Sequence, residues 1–240
     1  MLEVTACESA RSLRAAAARN IPVVAIDTLR AATTCAAALE AGALEIWPVA
    51  TVEDAVAARG RLQGALLGGE RGMLPLPGFD AGNSPYDYPA AVVAGRALVL
   101  TTTNGTLALR RARPASGVAF AALRTAHLAA RWLLAAQSPR ALIALAGTEG
   151  GFSHEDALTA GAIASRLPGA ELDDLMRTCL AAFHGAQDLA GEIGAAPHGR
   201  RLIEKGFARD VAYAAQAFAA NVLPVRDERK KGRLVPWRGA

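Results

Sequence analysis

Polar side chains follow several apolar runs of this chain, and their types suit the binding of phosphate and a hard cation. Asp27 follows the apolar run 22–26, and Glu70 follows the run 65–69. Thr102 to Thr106 follow a third run. Apolar runs of this kind are typical of strands in open α/β sheets, where ligands bind beyond the carboxyl ends of the strands. We therefore predict that the polar groups after these runs contribute to one site.

Asp27 and Arg30 place an acid and a cation three residues apart, just before Thr33 and Thr34. A helix that begins near these threonines would offer free N–H groups to an anion. The alternative is an ordinary Asp–Arg pair that ties the loop, with Thr33 as the N-cap residue.

The segment 101–106 carries hydroxyls, one amide and one glycine at a predicted strand-to-helix turn. Its hydroxyl and backbone N–H donors suit a phosphoryl group. The alternative is a tight Asn-Gly turn capped by a threonine. The candidate residues are Thr102, Thr103, Asn104, Gly105 and Thr106.

Segments 69–72 and 78–85 hold four glycines and two acids within one long loop. Mg²⁺ takes hard oxygen ligands of this kind, usually one or two carboxylates plus substrate phosphate. The alternative is a surface Ω-loop. Further along, Ser153 and Asp156 have the spacing of a capping box, or else Glu155 or Asp156 serves as a metal ligand or proton acceptor.

These groups need a sheet to position them, and the pattern of the chain supplies one. Apolar strand-like runs alternate with alanine-rich helical runs, which predicts an α/β fold with a parallel or mixed sheet covered on both faces. The predicted strands are 22–26, 44–49, 65–69, 97–102, 118–121, 141–146 and 222–225. The predicted helices are 34–40, 52–62, 106–111, 125–136, 197–204 and 209–220. The long segment 71–89 is predicted as a functional loop.

Charge and cysteine content narrow the function classes. Residues 226–240 carry the whole net charge of +4, because the remainder has 20 basic and 20 acidic residues. We predict a single α/β domain over 1–225 and a solvated basic tail over 226–240, with no nucleic-acid partner, since the tail lacks stacking aromatics beyond Trp237. The three cysteines indicate buried thiols in a reducing cytoplasm. No signal peptide or membrane span is expected.

Several phosphotransfer classes are excluded by spacing. The chain has no P-loop and no dinucleotide-binding glycine fingerprint. Arginine never follows a cysteine at the spacing of a cysteine phosphatase, and no Arg-His-Gly marks a histidine phosphatase. Leu29 stands where a haloacid-dehalogenase-type phosphatase has its second Asp. The histidines lack zinc-like spacing.

Several runs together resemble the 2-phosphosulfolactate phosphatase family, in the family's order across about 21–225. The matching runs are 27–34, 69–72, 78–85, 102–106, Gly147-Thr148 with Glu155-Asp156, Ala160-Gly161, and His198-Gly199-Arg200 with Asp210. The resemblance implies a three-layer α/β/α fold, Mg²⁺ dependence and hydrolysis of 2-phospho-3-sulfolactate on the route to coenzyme M. The chain departs from the family at Thr28 and Ala32, where Val and Thr are usual.

On this resemblance, Asp27, Glu70 and Asp156 are predicted to hold Mg²⁺, which orients or activates a water. Arg30 and Arg71 are predicted to act in catalysis by holding the phosphoryl oxygens. The residues assigned to substrate or phosphate binding are Thr33, Thr34, Asn83, Ser84, Thr102, Thr103, Asn104, Gly105, Thr106 and Arg200, with Arg201 or Lys205 as alternatives to Arg200.

Three alternatives to this hypothesis stay open. Asp27 could instead form an aspartyl-phosphate. The chain could bind an anionic phosphorylated metabolite without catalysis, or hydrolyse a different phosphorylated hydroxy acid. The expected partner in each case is a small phosphorylated acid, and the prediction leaves room for a homo-oligomer.

Overall fold

A computed structural model describes residues 1–230 and 232–239. Lys231 and Ala240, both within the predicted tail, lie outside the described residues. In the described part, no helix has the length and apolar character needed to cross a membrane.

The strands of the described residues are mostly short and apolar. They are β1 (Glu3–Cys7), β2 (Pro22–Ile26), β3 (Glu45–Val49), β4 (Leu66–Arg71), β5 (Leu74–Pro75), β6 (Ala97–Thr101), β7 (Gly117–Ala121), β8 (Arg140–Leu145), β9 (Glu171–Leu172), β10 (Leu223–Arg226) and β11 (Leu234–Trp237).

Helices fill most of the connections between these strands and dominate the chain beyond β8. They are α1 (Ala15–Ala18), α2 (Ala31–Glu40), α3 (Val52–Arg61), α4 (Ala90–Val93), α5 (Gly105–Arg111), α6 (Ala126–Ala135), α7 (His154–Ala164), α8 (Asp174–Gly185), α9 (Leu189–Ala195), α10 (Pro197–Glu204) and α11 (Ala208–Ala214), with 3₁₀ turns at Pro85–Asp87 and Leu123–Thr125.

All of these strands join one mixed sheet in the order β5-β4-β6-β3-β11-β10-β7-β2-β8-β1-β9. β4, β6 and β3 are mutually parallel, as are β7, β2, β8, β1 and β9. The antiparallel pair β10–β11 lies between these two blocks and is antiparallel to its neighbour on each side. The two parallel blocks therefore run in opposite directions.

Strand ends of the two blocks come together although the strands are far apart in the strand order. β2 and β6 are separated by five interstrand spacings, which would be about 24 Å in a flat sheet. Yet Asp27, directly after β2, lies against Gly105, four residues beyond β6: a Cβ added there would be 2.6 Å from Asp27 Oδ2. Strand direction alone would have placed these residues at opposite edges.

Helices cover both faces of the sheet. Val24 and Ile26 of β2 pack into a core cluster with residues of α6, α7 and α8. The alternate residues Val23 and Ala25 pack into clusters on the other face, the latter with residues of α2. Side chains alternate between the faces of a strand, so the predicted three-layer α/β/α fold with a mixed sheet is confirmed.

Most predicted elements are present, with shifted ends. β2 and α10 have the predicted bounds, whereas α2 begins at Ala31 rather than at 34 and α11 ends at Ala214 rather than at 220. Thr33 therefore lies inside α2 and is not its N-cap residue, which is Arg30. β4 continues through Arg71 because its end pairs with β5, inside the segment predicted as a loop.

The expectation of a solvated end at 226–240 is wrong for residues 234–237. They form β11, which pairs with both β10 and β3. Leu234 is buried in a core cluster with residues from both parallel blocks. The basic residues of this segment are concentrated in the hairpin turn before β11, which masked the strand. The domain boundary at 225 stays a prediction.

The three cysteines are free. Cys35 and Cys179 are buried and Cys7 is half-buried, which fits their expected use as small apolar side chains.

Candidate active site

The exits of β2, β4, β6 and β8 meet at one cavity with a volume of about 140 Å³. Its lining combines carboxylates, cations, hydroxyls and amides, in contrast to the apolar strands that lead into it. The lining residues are Asp27, Leu29, Arg30, Glu70, Gly72, Met73, Asn83, Thr102, Thr103, Asn104, Thr148, Glu149, His198 and Arg201.

Asp27 lies directly after β2 and is 6% exposed. Its Oδ1 accepts a hydrogen bond from the backbone N–H of Ala31, at 3.1 Å, in the first turn of α2. Its Oδ2 receives no hydrogen bond from any described residue. Gly105 leaves room for this oxygen, since an added Cβ would come within 2.6 Å of it. One carboxylate oxygen is thus fixed and the other is available to a ligand.

Burial raises the pKa of Asp27 to about 6, and the nearby carboxylates Glu70 and Glu155 add to this increase. The hydrogen bond from Ala31 and the charge of His198 oppose it. A buried carboxylate without an ion-pair partner favours its neutral form. A bound cation would favour the ionised form instead.

Glu70 joins two segments of the cavity wall. Its Oε1 accepts hydrogen bonds from the N–H and the hydroxyl of Thr103, both at 3.0 Å. Its Oε2 accepts from Met73 N–H at 2.8 Å. These bonds hold the turn after β6 against the end of β4. Glu70 therefore lines the cavity and also fixes the position of its wall.

Two buried oxygens of the lining have no hydrogen-bond partner among the described residues. They are Asn83 Oδ1 and Thr102 Oγ1. Buried polar atoms are rarely left unpaired in folded proteins. Together with Asp27 Oδ2 they give the cavity three oxygens of the type that a hard cation binds.

Arg30 lines the cavity with its charge already matched. Its guanidinium pairs with Asp210 Oδ2 at 2.9 Å and donates to the Met73 carbonyl at 2.7 Å. It also lies over the ring of Phe207, with 4.1 Å to the centroid. Asp210 accepts a further bond from the Ser84 hydroxyl at 2.8 Å. Arg30 is therefore held rigidly at the cavity wall.

Arg71 does not line the cavity, contrary to expectation. Its guanidinium donates to the carbonyls of Glu70 and Ala50 and to Thr101 Oγ1. Neighbouring residues of a strand face opposite sides, so Arg71 turns away where Glu70 faces the site.

Arg201, rather than the predicted Arg200, lines the cavity. Its guanidinium pairs with Glu149 Oε1 at 2.7 Å, while its Nε is buried without a partner. Arg200 is exposed and lines only an adjacent open depression with Glu204. The two are consecutive on α10, so they lie about 100° apart around the helix.

His198 forms a second polar group with Glu155 and Thr148. Its Nδ1 lies 3.1 Å from Glu155 Oε1 and 3.2 Å from Thr148 Oγ1. Burial would raise the pKa of Glu155, but the hydrogen bond and charge of His198 outweigh it and lower that pKa. The sequence contained a signal for this group in the runs 147–148 and 198–200.

Asp156 does not line the cavity. Its Oδ1 accepts from Thr28 N–H at 2.9 Å and its Oδ2 from Gly147 N–H at 3.0 Å. Burial raises its pKa well above the usual range, and the charges of Glu155 and Asp27 contribute. Asp156 thus ties the exit of β2 to that of β8.

The expected trio of metal-binding carboxylates is not assembled. Within residues 1–230 and 232–239, no group of three or more His, Cys, Asp or Glu side chains is arranged to hold a metal ion. A cation at this cavity would therefore depend on Asp27 with neutral oxygens, water and substrate, rather than on three acids.

The other predicted hydroxyls mostly hold the backbone around the cavity. Thr33 donates to the Thr28 carbonyl at 2.8 Å, Thr34 to Asn83 at 2.9 Å and Thr106 to Thr102 at 2.7 Å. Asn104 lines the cavity as the N-cap residue of α5, without a side-chain cap bond.

A family model described as 2-phosphosulpholactate phosphatase matches residues 7–229. A probable 2-phosphosulfolactate phosphatase of Deinococcus radiodurans is 42% identical over 203 residues, which is 83% of this chain and 85% of the relative. Probable 2-phosphosulfolactate phosphatases of Carboxydothermus hydrogenoformans and Thermotoga petrophila are each 39% identical, over 220 and 191 residues. The alignment with the Carboxydothermus protein covers 91% of each chain. The alignment with the Thermotoga protein covers 79% of this chain and 82% of the relative.

Proposed function

This chain belongs to the 2-phosphosulpholactate phosphatase family, and we propose that it hydrolyses 2-phospho-3-sulfolactate to 3-sulfolactate and phosphate. The observation that carries the proposal is the cavity at the strand exits. It presents one available carboxylate oxygen of Asp27 beside unpaired neutral oxygens and the guanidinium of Arg201. A phosphorylated, sulfonated hydroxy acid needs both a cation site and positive groups.

Mg²⁺ is the proposed cofactor, and the donors around Asp27 suit it. Mg²⁺ is usually bound by one or two carboxylates, with waters and substrate phosphate completing its octahedron. Asp27 Oδ2, Asn83 Oδ1 and Thr102 Oγ1 are the oxygens proposed to hold it, with Glu70 fixing the wall behind them. When bound, the ion would neutralise charge on the phosphoryl group and lower the pKa of a bound water.

The leaving oxygen of the substrate needs a proton, and His198 is placed to deliver it. Glu155 fixes Nδ1 of the ring, which leaves Nε2 for the cavity. General acids of this kind contribute roughly 10²–10⁴-fold to a rate. Asp210 and Ser84 act through Arg30, whose position they fix.

Arg201 is the residue proposed to receive the carboxylate or sulfonate of the substrate. Its buried Nε has no acceptor within residues 1–230 and 232–239, so an anionic group would satisfy it. Arginine suits this task because its planar fork binds anionic oxygens in pairs.

Attack by Asp27 on phosphorus is the competing route. It would give an aspartyl-phosphate that water later hydrolyses. Acid quench of the enzyme during turnover, followed by mass spectrometry of the peptide containing Asp27, separates the two. A phosphorylated peptide supports attack by Asp27, and an unmodified peptide supports direct attack by water.

The deciding experiment is a phosphate-release assay over phosphorylated hydroxy acids, with and without Mg²⁺ and chelator. We expect 2-phospho-3-sulfolactate to give the highest kcat/KM, and chelator to abolish turnover. Binding of substrate without phosphate release would favour the non-catalytic alternative. A higher kcat/KM for phospholactate would favour a different hydroxy acid.

The remaining expectations follow from the same chemistry and stay predictions. They are a role on the route to coenzyme M or in other sulfolactate metabolism, a cytoplasmic location, and the lack of nucleic-acid and membrane partners. The oligomeric state is left open. Phosphosulfolactate is a small polar metabolite, which fits an enzyme working in an aqueous compartment.

A further inference from the structure

A second cavity, with a volume of about 350 Å³, lies where α3, α5 and the β10–β11 hairpin meet. It shares no described lining residue with the candidate active site. Its apolar lining comes from four elements: Pro48 and Val49 of β3, Leu109 of α5, Val118 of β7 and Leu234 of β11. Its volume falls within the range of small-molecule sites.

Three arginines of this second cavity are without partners in the described residues. Arg61 ends α3, Arg110 lies in the last turn of α5, and Arg113 follows that helix. None of their guanidinium groups makes a hydrogen bond or ion pair with the described part of the chain. The backbone N–H of Arg113 donates to the Arg110 carbonyl at 3.3 Å, so the chain turns between these two residues, and both line the cavity.

The other charges of the second cavity are largely matched. Arg226 pairs with Glu228, and Arg233 pairs with Asp227 and Glu45. The acid that lines the cavity is Asp54. The lining therefore has three unpaired cations, Arg61, Arg110 and Arg113, and one unpaired carboxylate, Asp54, beside an apolar floor. The cavity has an excess of positive charge that an anionic ligand would match.

We propose that this second cavity binds a phosphorylated metabolite of nucleotide size that carries a flat aromatic ring. The phosphate contacts Arg110 and Arg113, with Arg61 as a further cation, and the ring lies on the floor formed by Pro48, Val118 and Leu234. Arginine forks bind phosphate in pairs of charge-assisted hydrogen bonds. The site is independent of the proposed phosphatase reaction.

The position of the second cavity places its ligand against the helix that serves the candidate active site. Thr106 of α5 lines the second cavity, and Asn104, two residues earlier, lines the first. The Thr106 hydroxyl donates to the Thr102 carbonyl. A ligand in the second cavity therefore touches α5 without entering the catalytic cavity.

Calorimetric titration with AMP tests the site, with adenosine as the uncharged probe. We expect AMP to bind the wild-type chain and adenosine to bind far more weakly. The double variant Arg110→Gln/Arg113→Gln should bind AMP at least about tenfold more weakly, because it loses charge-assisted bonds to phosphate. The single Arg113→Gln variant should fall between the two.

Two matched variants complete the test. Arg177→Gln removes an exposed arginine of α8 that lines neither cavity, and Arg201→Gln removes a cation of the candidate active site. Both should retain wild-type affinity for AMP. Loss of affinity in Arg201→Gln with retention in the double variant would place AMP in the catalytic cavity and overturn the proposal, as would absence of AMP binding to the wild-type chain.

Discussion

Asp27 combines a proposed catalytic role with a cost to folding. Its carboxylate is almost fully buried, and its pKa rises from the usual 3.8 to about 6. Because the folded state binds the proton more tightly than the unfolded state, stability falls as pH rises between these values. The shift corresponds to about 3 kcal/mol at high pH, at 1.36 kcal/mol per pKa unit.

We therefore expect Asp27→Asn to abolish phosphate release and to stabilise the metal-free protein at pH 8. The gain should approach the order of 3 kcal/mol at pH 8 and vanish at about pH 3, where the carboxyl is neutral in the folded and the unfolded state. Urea unfolding in chelator at both pH values measures it. Unchanged or lower stability at pH 8, or near-normal turnover, would contradict the assignment.

Arg200 and Arg201 provide a matched pair for substrate recognition. Arg201→Gln should raise KM for 2-phospho-3-sulfolactate by at least about tenfold, since a charge-assisted bond contributes roughly 1.5–3 kcal/mol. Arg200→Gln should leave KM within about twofold, because exposed charges contribute little. Steady-state kinetics on both variants checks the difference. The reverse ranking would return the role to Arg200.

Helix α5 begins at a glycine that has no space for a side chain. A Cβ at Gly105 would lie 2.6 Å from Asp27 Oδ2 and 2.7 Å from Phe120 Cζ. Gly105→Ala should therefore displace the turn after β6, lower stability by roughly 1–3 kcal/mol and reduce turnover strongly. Thermal unfolding and phosphate release measure both effects.

Gly60 in α3 is the control for this substitution, because nothing lies within 4 Å of its added Cβ. Gly60→Ala should stabilise the chain by roughly 0.5–1 kcal/mol, as expected within a helix, with unchanged turnover. Equal effects of the two substitutions would contradict the packing argument at Gly105.

Local pattern predicted those elements whose residues carry their own signal. β2 is five consecutive apolar residues and has the predicted bounds. β11 was missed, because it depends on pairing with β3, far away in the sequence, as well as with its neighbour β10. At the site, the types and chain positions of Asp27 and Glu70 were sufficient to place them at the cavity. The orientations of Arg71 and Arg200 were not. A one-residue shift moves a side chain to the opposite face of a strand and turns it by about 100° around a helix.

The whole sheet depends on the β10–β11 pair, which joins its two parallel blocks. Deleting residues 227–240 removes β11 and leaves the facing edges of β3 and β10 unpaired. We expect this truncation to abolish cooperative unfolding, seen as loss of a sharp thermal transition. Arg229→Gln/Lys230→Gln, in the exposed hairpin turn, should leave the transition unchanged. A folded, active truncated chain would support a dispensable tail.

The place of β10 and β11 in the chain also has a consequence for synthesis. They follow every other described strand in sequence, yet they occupy the middle of the sheet. While they are still being translated, each earlier block is a half-sheet with an open inner edge, and such edges can pair with other nascent chains. We infer that the risk of aggregation is greatest on the ribosome, just before β10 and β11 emerge.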